Sequence, residues 1–331
     1  MDLLGRLSAY TSKERSPESK HAIELNLMNC RSVAEARLFA GPGDLYLASR
    51  PKGLYSSKKD NGSVLIIGGS ESFHGAPAMA SNAAYSTLAS LRVGAGYAMT
   101  YVPKGITGAV RSLSPNLIVR SMHGERLGVD DLEAIESAAG RADSVVIGPG
   151  IGRSSESLDA AASLISSILR AGKRVIADAD AIYAIGLTRL RHGRNLILTP
   201  HDREFLGLTG IRLRKRDTVQ RAHSAIKAAR RLGSVILLKG HDTVVTDGRR
   251  IKIIRSKTAA LATMGTGDAL SGIIGGFAAR NADAFISAVA GAYLHSQIGD
   301  ALFVEKGYHI IASDVVEMIP CILKEFDRTS R

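Results

Sequence analysis

From Ser63 onward the chain alternates between short, mostly apolar runs and longer stretches in which apolar positions recur every three or four residues. SVLIIGG (63–69), YAMTYV (97–102), DSVVIGPG (143–150), RVIADAD (174–180), NLILTPH (195–201) and SVILLKG (234–240) form the first set. Short runs of this kind, most of them rich in Val, Ile or Leu and closed by glycine or proline, predict strands buried on both faces. APAMASNAAYSTLASLRVG (76–94) predicts a helix, with Pro77 in its first turn and Gly94 past its end. Further helices are predicted over SLDAAASLISSILRAG (157–172), 218–232, 267–280, 283–302 and 313–326. DTVVTDGRRIKIIR (242–255) predicts a hairpin turning at Asp247-Gly248. Residues 1–54 are more polar, with one helical pattern around Val33, Ala34 and Leu38. They predict a helical extension ahead of one α/β domain over 55–327.

Apolar strands alternating with helices imply a mainly parallel sheet with helices on both faces. In such sheets ligands bind beyond the carboxyl ends of the strands. The unusual residues gather at those ends. GGSESFHGAP follows the strand at 64–67, GPGIG follows 145–147, and Asp178 and Asp180 follow 175–177. TPHDREF follows 196–198 and KGHDT follows 235–238. One rim thus collects glycines, a histidine, carboxylates and a lysine.

Composition narrows the picture. At 331 residues and 45% hydrophobic content, the chain has the material for a sizeable core. Aromatic residues make up only 5%, so the core is expected to be tight helix-on-sheet packing. The net charge of +12 suits anionic ligands, nucleotides as well as nucleic acid. Arg212, Arg214, Lys215, Arg216 and Arg221 cluster in GIRLRKRDTVQR, which reads either as a solvated loop and helix start or as an anion-steering patch. No aromatic residue interleaves with it, so the stacking signature of single-strand binders is missing, and no nucleic-acid partner is expected. Cys30 and Cys321 stand near opposite ends and make neither a disulfide framework nor a zinc set. MDLLGRLSAY lacks a signal-peptide core and cleavage site. No window approaches about 18 consecutive apolar residues. The expectation is a cytoplasmic protein with free thiols and no membrane partner.

The candidate chemistry centres on TAALATMGTGDALSGIIGGF (258–277). Gly265 and Gly267 allow backbone conformations closed to other residues, and at a helix start the exposed N–H groups favour an anion. Asp268 falls in the first turn, where its ionised form is expected. A carboxylate beside an anion pocket is placed to take a proton from a hydroxyl attacking a phosphate. A glycine-rich helix start with an acidic charge complement fits the same residues, and both readings stay open on this segment alone. No Gly-Lys-Ser/Thr follows, so it is not a Walker A loop. Lys239, with Gly240, offers a cation at a strand end, and His201 follows a proline-stiffened turn. Asp178 and Asp180 share a side if their strand continues; magnesium or ribose contact and a capped turn are both open. No His/Cys/Glu set has metal-site spacing, and no G-x-S-x-G elbow occurs.

Ten segments in order make a larger pattern. They are GSVLIIGGSESFHGAPAMAS, LRVGAGYAMTYVP, SPNLIV, VVIGPGIG, VIADADAI, LILTPHDREF, VILLKGHDTVVTDG, ALATMGTGDALSGIIGGFAA, AYLHSQIGD and ASDVVEMIP. Across residues 55–322 the chain resembles the ADP/ATP-dependent NAD(P)H-hydrate dehydratase family. The resemblance implies a ribokinase-like three-layer α/β/α fold with a mainly parallel central sheet. It implies an enzyme that phosphorylates the ring hydroxyl of hydrated NADH or NADPH and eliminates that phosphate, with ADP or ATP as co-substrate and Mg2+ on its phosphates. Asp268 matches the catalytic residue, and is counted with the substrate positions Ala76, Gly150 and His201. Lys239, Gly240, His241, Asp242, Thr243, Gly265, Thr266 and Gly267 match the nucleotide-binding segments. A homo-oligomer, a tetramer among the options, is implied as well. Two features depart from the family. His-Pro-Gly-Glu is replaced by His201-Asp202-Arg203-Glu204, and the usual His-Lys-Gly is reduced to SSKKDNG, so no role passes to Lys58 or Lys59. Residues 1–50 are shorter than the epimerase domain often fused to this one, and the chain is expected to dehydrate without epimerising. The rival readings are a small-molecule kinase of the same fold, acting on a vitamin precursor or sugar, and a nucleotide-binding regulator without turnover.

Overall fold

The computed structural model describes residues 3–11, 16–69, 76–188, 193–214, 216–280 and 283–330, with the backbone alone for 76–81 and 187–188. Nine strands form one sheet: β2 (Ser63–Ile67), β3 (Tyr97–Val102), β4 (Ile118–Ser121), β5 (Ser144–Ile147), β6 (Arg174–Ala177), β7 (Leu196–Leu198), β8 (Val235–Leu238), β9 (Asp242–Thr246) and β10 (Ile251–Arg255). Their order is β10-β9-β8-β7-β6-β5-β2-β3-β4. All neighbours pair in parallel except the β8-β9 and β9-β10 pairs, which are antiparallel. A separate two-residue pairing joins β1 (Lys52–Gly53) to β11 (Thr329–Ser330).

Period-two alternation builds the three layers, because successive side chains leave a strand on opposite faces. Val64 and Ile66 of β2 belong to the core layer that also holds α5 (Ala76–Val93), α12 (Thr266–Ala279), α13 (Ala284–Lys306) and α14 (Ala312–Leu323). Leu65 and Ile67 belong to the opposite layer, with α7 (Leu132–Arg141), α8 (Ser155–Arg170), α9 (Asp180–Thr188), α10 (Asp202–Thr209) and α11 (Thr218–Leu232). The predicted strands and hairpin are present. Strand β4 and helices α7, α9 and α10 are additional to the sequence reading. A short helix α6 (Thr107–Ser112) leads from β3 to β4.

The segment before β2 folds as α1 (Leu3–Leu7), α2 (Pro17–Leu27), α3 (Val33–Leu38) and α4 (Pro42–Ala48). It wraps the edge of the sheet: Leu7 and Leu38 join one core layer, Leu45 and Ala48 the other. The Ala40 N–H donates to the Ile253 carbonyl at 3.0 Å, so the exposed edge of β10 is covered. A buried polar cluster fastens this wrap. The Lys252 ammonium, 4% exposed, donates to the carbonyls of Ala36 and Phe39 at 3.0 and 3.1 Å and reaches Asp44 Oδ2 at 3.2 Å. Asp44 Oδ2 also accepts from the Gly41 N–H at 2.9 Å and from Asn26 Nδ2 at 3.0 Å. Removing one partner of such a pair strands a buried charge. Asp44→Ala is expected to lower the unfolding free energy by about 3 kcal/mol, read as a lower denaturant midpoint, with loss of amide-exchange protection concentrated in α2 to α4.

Candidate active site

The sheet changes direction between β2 and β5, where the chain first runs outward to β4 and then returns to the other side of β2. Crevices at such reversals, beyond the strand carboxyl ends, are the usual ligand positions. The loops after β2 and β5 interlock there. The Gly69 N–H donates to the Pro149 carbonyl at 2.8 Å, and the Gly148 N–H to the Ile67 carbonyl at 3.1 Å. Gly150 lies in this loop with a left-handed backbone, φ +68°. Ala76 begins α5 on the other side of residues 70–75. The Gly152 N–H and the Arg153 guanidinium both donate to the Asp180 carboxylate, at 3.1 and 2.7 Å.

One residue beyond β8, Lys239 reaches across the strand ends. Its ammonium donates to Asp178 Oδ1 at 2.9 Å and stands 4.0 Å from Glu204 Oε2. Thr199 also donates to Asp178 Oδ1, at 2.6 Å. Burial lowers the affinity of Lys239 for its proton, but Asp178 and Glu204 outweigh it and the net shift is upward. Lys239 is therefore a fixed cation. Glu204 is pushed up to about 7, by burial first, with Lys239 opposing and Asp178 adding to the rise. His201 caps α10: its Nδ1 accepts from the N–H groups of Arg203 and Glu204 at 3.1 and 3.2 Å. Because Nδ1 accepts, the neutral ring carries its proton on Nε2, which stands 3.4 Å from Glu204 Oε1. Burial, then Lys239, lowers the pKa of His201.

A cavity of about 830 Å³ opens between the β8–β9 end and the start of α12. Its size is in the range of small-molecule sites. His201, Lys239, Gly240, His241, Thr243, Thr266, Gly267 and His295 contribute to its lining. Gly265 caps α12 at φ +88°, and a Cβ there would lie 2.9 Å from that of Ala312, so only glycine fits. A Cβ on Gly267 would sit 3.7 Å from Lys239 Nζ, which puts the first turn of α12 directly beside the fixed cation. The Thr266 hydroxyl is spent on the loop before the helix, donating to the carbonyls of Leu261 and Thr263. His295 Nε2 lies 3.0 Å from the Thr266 carbonyl. Burial pushes its pKa down to about 4, so it is a neutral donor there.

The expectation of an ionised Asp268 is corrected. Its carboxyl is pushed up to about 7, by burial first, then by Asp178, with Lys239 opposing and Asp180 and Glu204 adding to the rise. The helix start favours the carboxylate locally, but the loss of water and the carboxylates of Asp178, Asp180 and Glu204 outweigh it. Asp178 and Asp180 do not continue a strand. Ala179 turns the chain at φ +49°, sending Asp178 to Lys239 and Asp180 into α9. Asp242 is engaged by the Thr218 hydroxyl and lies outside the cavity lining. In the basic segment, Arg214 pairs with Asp217 at 3.3 Å, Arg221 is buried inside the fold, and Lys215 lies outside the described residues. The sequence reading assigned no role to Glu204 or His295; it left Asp178 open between magnesium or ribose contact and a capped turn, and placed Arg221 in a cluster read as solvated or anion-steering. His295 carried a signal, a lone imidazole inside the apolar run of α13.

A three-layer sheet with this strand order, and a cavity at its carboxyl rim, is the ribokinase-like class of α/β protein. The sequence model described as NAD(P)H-hydrate dehydratase matches residues 64–321, and the chain belongs to that family. It is 35% identical over 297 residues to the bifunctional NAD(P)H-hydrate repair enzyme of Pyrobaculum aerophilum, covering 88% of this chain and 56% of that protein. The chain spans about half the length of such bifunctional relatives. It is 36% identical over 277 residues to the ADP-dependent (S)-NAD(P)H-hydrate dehydratase of Cenarchaeum symbiosum, covering 82% of this chain and 92% of that one. The ADP/ATP-dependent NAD(P)H-hydrate dehydratase of Bacillus subtilis, co-crystallised with ATP and Mg2+, superposes with a TM-score of 0.68 at 24% identity, over 85% of this chain and 96% of that chain.

The raised carboxyls have a consequence for stability. Folded Asp268 and Glu204 keep protons that the unfolded chain releases near pH 4. Their contribution is complete below that pH and is lost as pH rises through about 7. Asp268→Asn keeps the shape and removes the buried charge. Differential scanning at two pH values should show its Tm about 3 °C above the parent at pH 8 and nearly equal at pH 4.

Proposed function

We propose that the chain is a nucleotide-dependent dehydratase that returns hydrated NADH or NADPH to the reduced cofactor. The observation that carries this reading is the position of Asp268. It stands in the first turn of α12, next to Gly267, which lies beside the fixed Lys239 cation, and it shares the charge field of Lys239, Asp178, Asp180 and Glu204. The nucleotide occupies the cavity, with its phosphates at the α12 start, where first-turn N–H groups have no intrahelical acceptor. The hydrated nicotinamide ring lies toward His201, Gly150 and Ala76. Asp268 takes the proton of the ring hydroxyl as its oxygen attacks the terminal phosphorus, and the nucleotide leaves one phosphate shorter. The carbon–oxygen bond then breaks, phosphate departs with the electron pair, and the adjacent ring carbon loses a proton as the double bond forms. A pKa near 7 suits a group that must both accept and release a proton.

Among the described residues no three His, Cys, Asp or Glu stand together as a metal site. Magnesium would accompany the nucleotide and neutralise phosphate charge there. No helix among the described residues is long and apolar enough to cross a membrane.

Incubation with ADP or ATP, Mg2+ and hydrated NADH is expected to restore absorbance at the NADH band. Asp268→Asn should lower kcat by about 10²- to 10⁴-fold while nucleotide affinity stays within a few-fold. Parent activity should rise with pH through about 7 as Asp268 ionises. Nucleotide consumption on another hydroxyl compound, with no NADH recovered, overturns the proposal in favour of a kinase.

A further inference from the structure

We infer that Asp202 and Arg221 form a brace that couples the substrate loop to the nucleotide loop, and that Asp202 is a positioning residue for nucleotide binding. The inference rests on the proposed dehydratase reading for what the two loops hold, while the brace itself is a property of the chain. Arg221, on the buried face of α11, is 3% exposed, unusual for a residue whose charge resists burial unless paired. Its Nη1 donates to Asp202 Oδ1 at 2.6 Å and its Nη2 to the Lys239 carbonyl at 2.8 Å. The planar guanidinium fixes those two donors in one rigid fork. One acceptor belongs to the turn that carries His201 and Glu204, the other to the turn that carries Lys239 and Gly240.

The fit leaves no slack. A Cβ on Gly240 would lie 2.4 Å from Arg221 Nη2, so the nucleotide turn lies directly against the guanidinium and has no room for a side chain there. A backbone bond runs alongside, from the Lys239 N–H to the Pro200 carbonyl at 2.8 Å. The Gly240 N–H and carbonyl are both engaged by the Thr243 hydroxyl, at 3.3 and 3.0 Å, which passes the constraint on to β9. The Asp202 carboxylate turns the hold of Arg221 on the Lys239 carbonyl into a bridge between two loops. Neutralising Asp202 leaves a buried guanidinium nitrogen without its anion and frees both turns to shift.

Asp202→Asn is the test, because its side chain is 40% exposed and the variant is expected to fold. Amide exchange on the unliganded protein should show protection across 239–243 falling by about tenfold, with strands β5 and β6 unchanged. Affinity for Mg·ADP, titrated by calorimetry, should fall by about fivefold, although Asp202 lines the cavity and losing its negative charge would by itself favour an anion. Asp202→Glu should restore most of both, which loss of general stability would not allow. Unaltered exchange at 239–243 in Asp202→Asn overturns the brace, whatever the activity of the parent. A parent protein that neither binds Mg·ADP nor acts on hydrated NADH overturns the dehydratase reading instead, and leaves the exchange result to decide the brace.

Discussion

The ion pair between Lys239 and Asp178 holds the site together. An ammonium taken from water needs close anions, and it finds them on elements that are separate in sequence: Asp178 after β6, and Glu204 on α10 behind β7. Three neighbouring strand ends are thereby fixed in relative position, and the first turn of α12 is packed against the same cation. The pair also sets the local charge balance. Asp178, Glu204 and Asp268 share Lys239, while Asp180 has Arg153. Fully ionised, this group would repel a phosphate. Raised pKa values at Glu204 and Asp268 leave each partly protonated near neutrality. A polyanion can then approach without first displacing a full set of negative charges.

Much of the fold was legible in the sequence for a definite reason. Central parallel strands are buried on both sides, so β2, β5, β6, β7 and β8 read as apolar runs. Strand β4 is an edge strand in which only Val119 is buried, and IVRS carries no such signal. Helix α10 spans eight residues and starts from a histidine cap, which no propensity rule favours. At the site, residue types at strand ends could be listed from the sequence, because the ligand rule for parallel sheets points to them. Their electrostatics could not. Asp268 was expected to be ionised because its own helix start favours that form, and its real surroundings come from Asp178, Asp180 and Glu204, 64 to 90 positions away along the chain. The role of Arg221 failed to show for the same cause: a charged residue in a basic cluster looks solvated until the partner across the fold is known.

The segment 258–277 allowed two readings, packing or chemistry, and the geometry makes them one. Past the first turn, a Cβ on Gly272 would lie 2.2 Å from the Ser86 carbonyl oxygen, and one on Gly276 would lie 2.9 Å from that of Ser90. The lower half of α12 therefore lies backbone against backbone on α5, and the Ser90 hydroxyl bonds across the contact to the Gly272 carbonyl at 2.9 Å. Larger side chains would push α12 away from α5 and carry its N-terminus with it. An oxygen of Asp268 takes part in the same contact, since the Ser86 hydroxyl donates to the Asp268 carbonyl at 2.8 Å. Catalytic groups need placement to within a fraction of an ångström. Here the placement of Asp268 comes from small residues one and two turns further along its own helix, so a substitution such as Gly272→Ala acts on the site through a helix shift and leaves every charge in place.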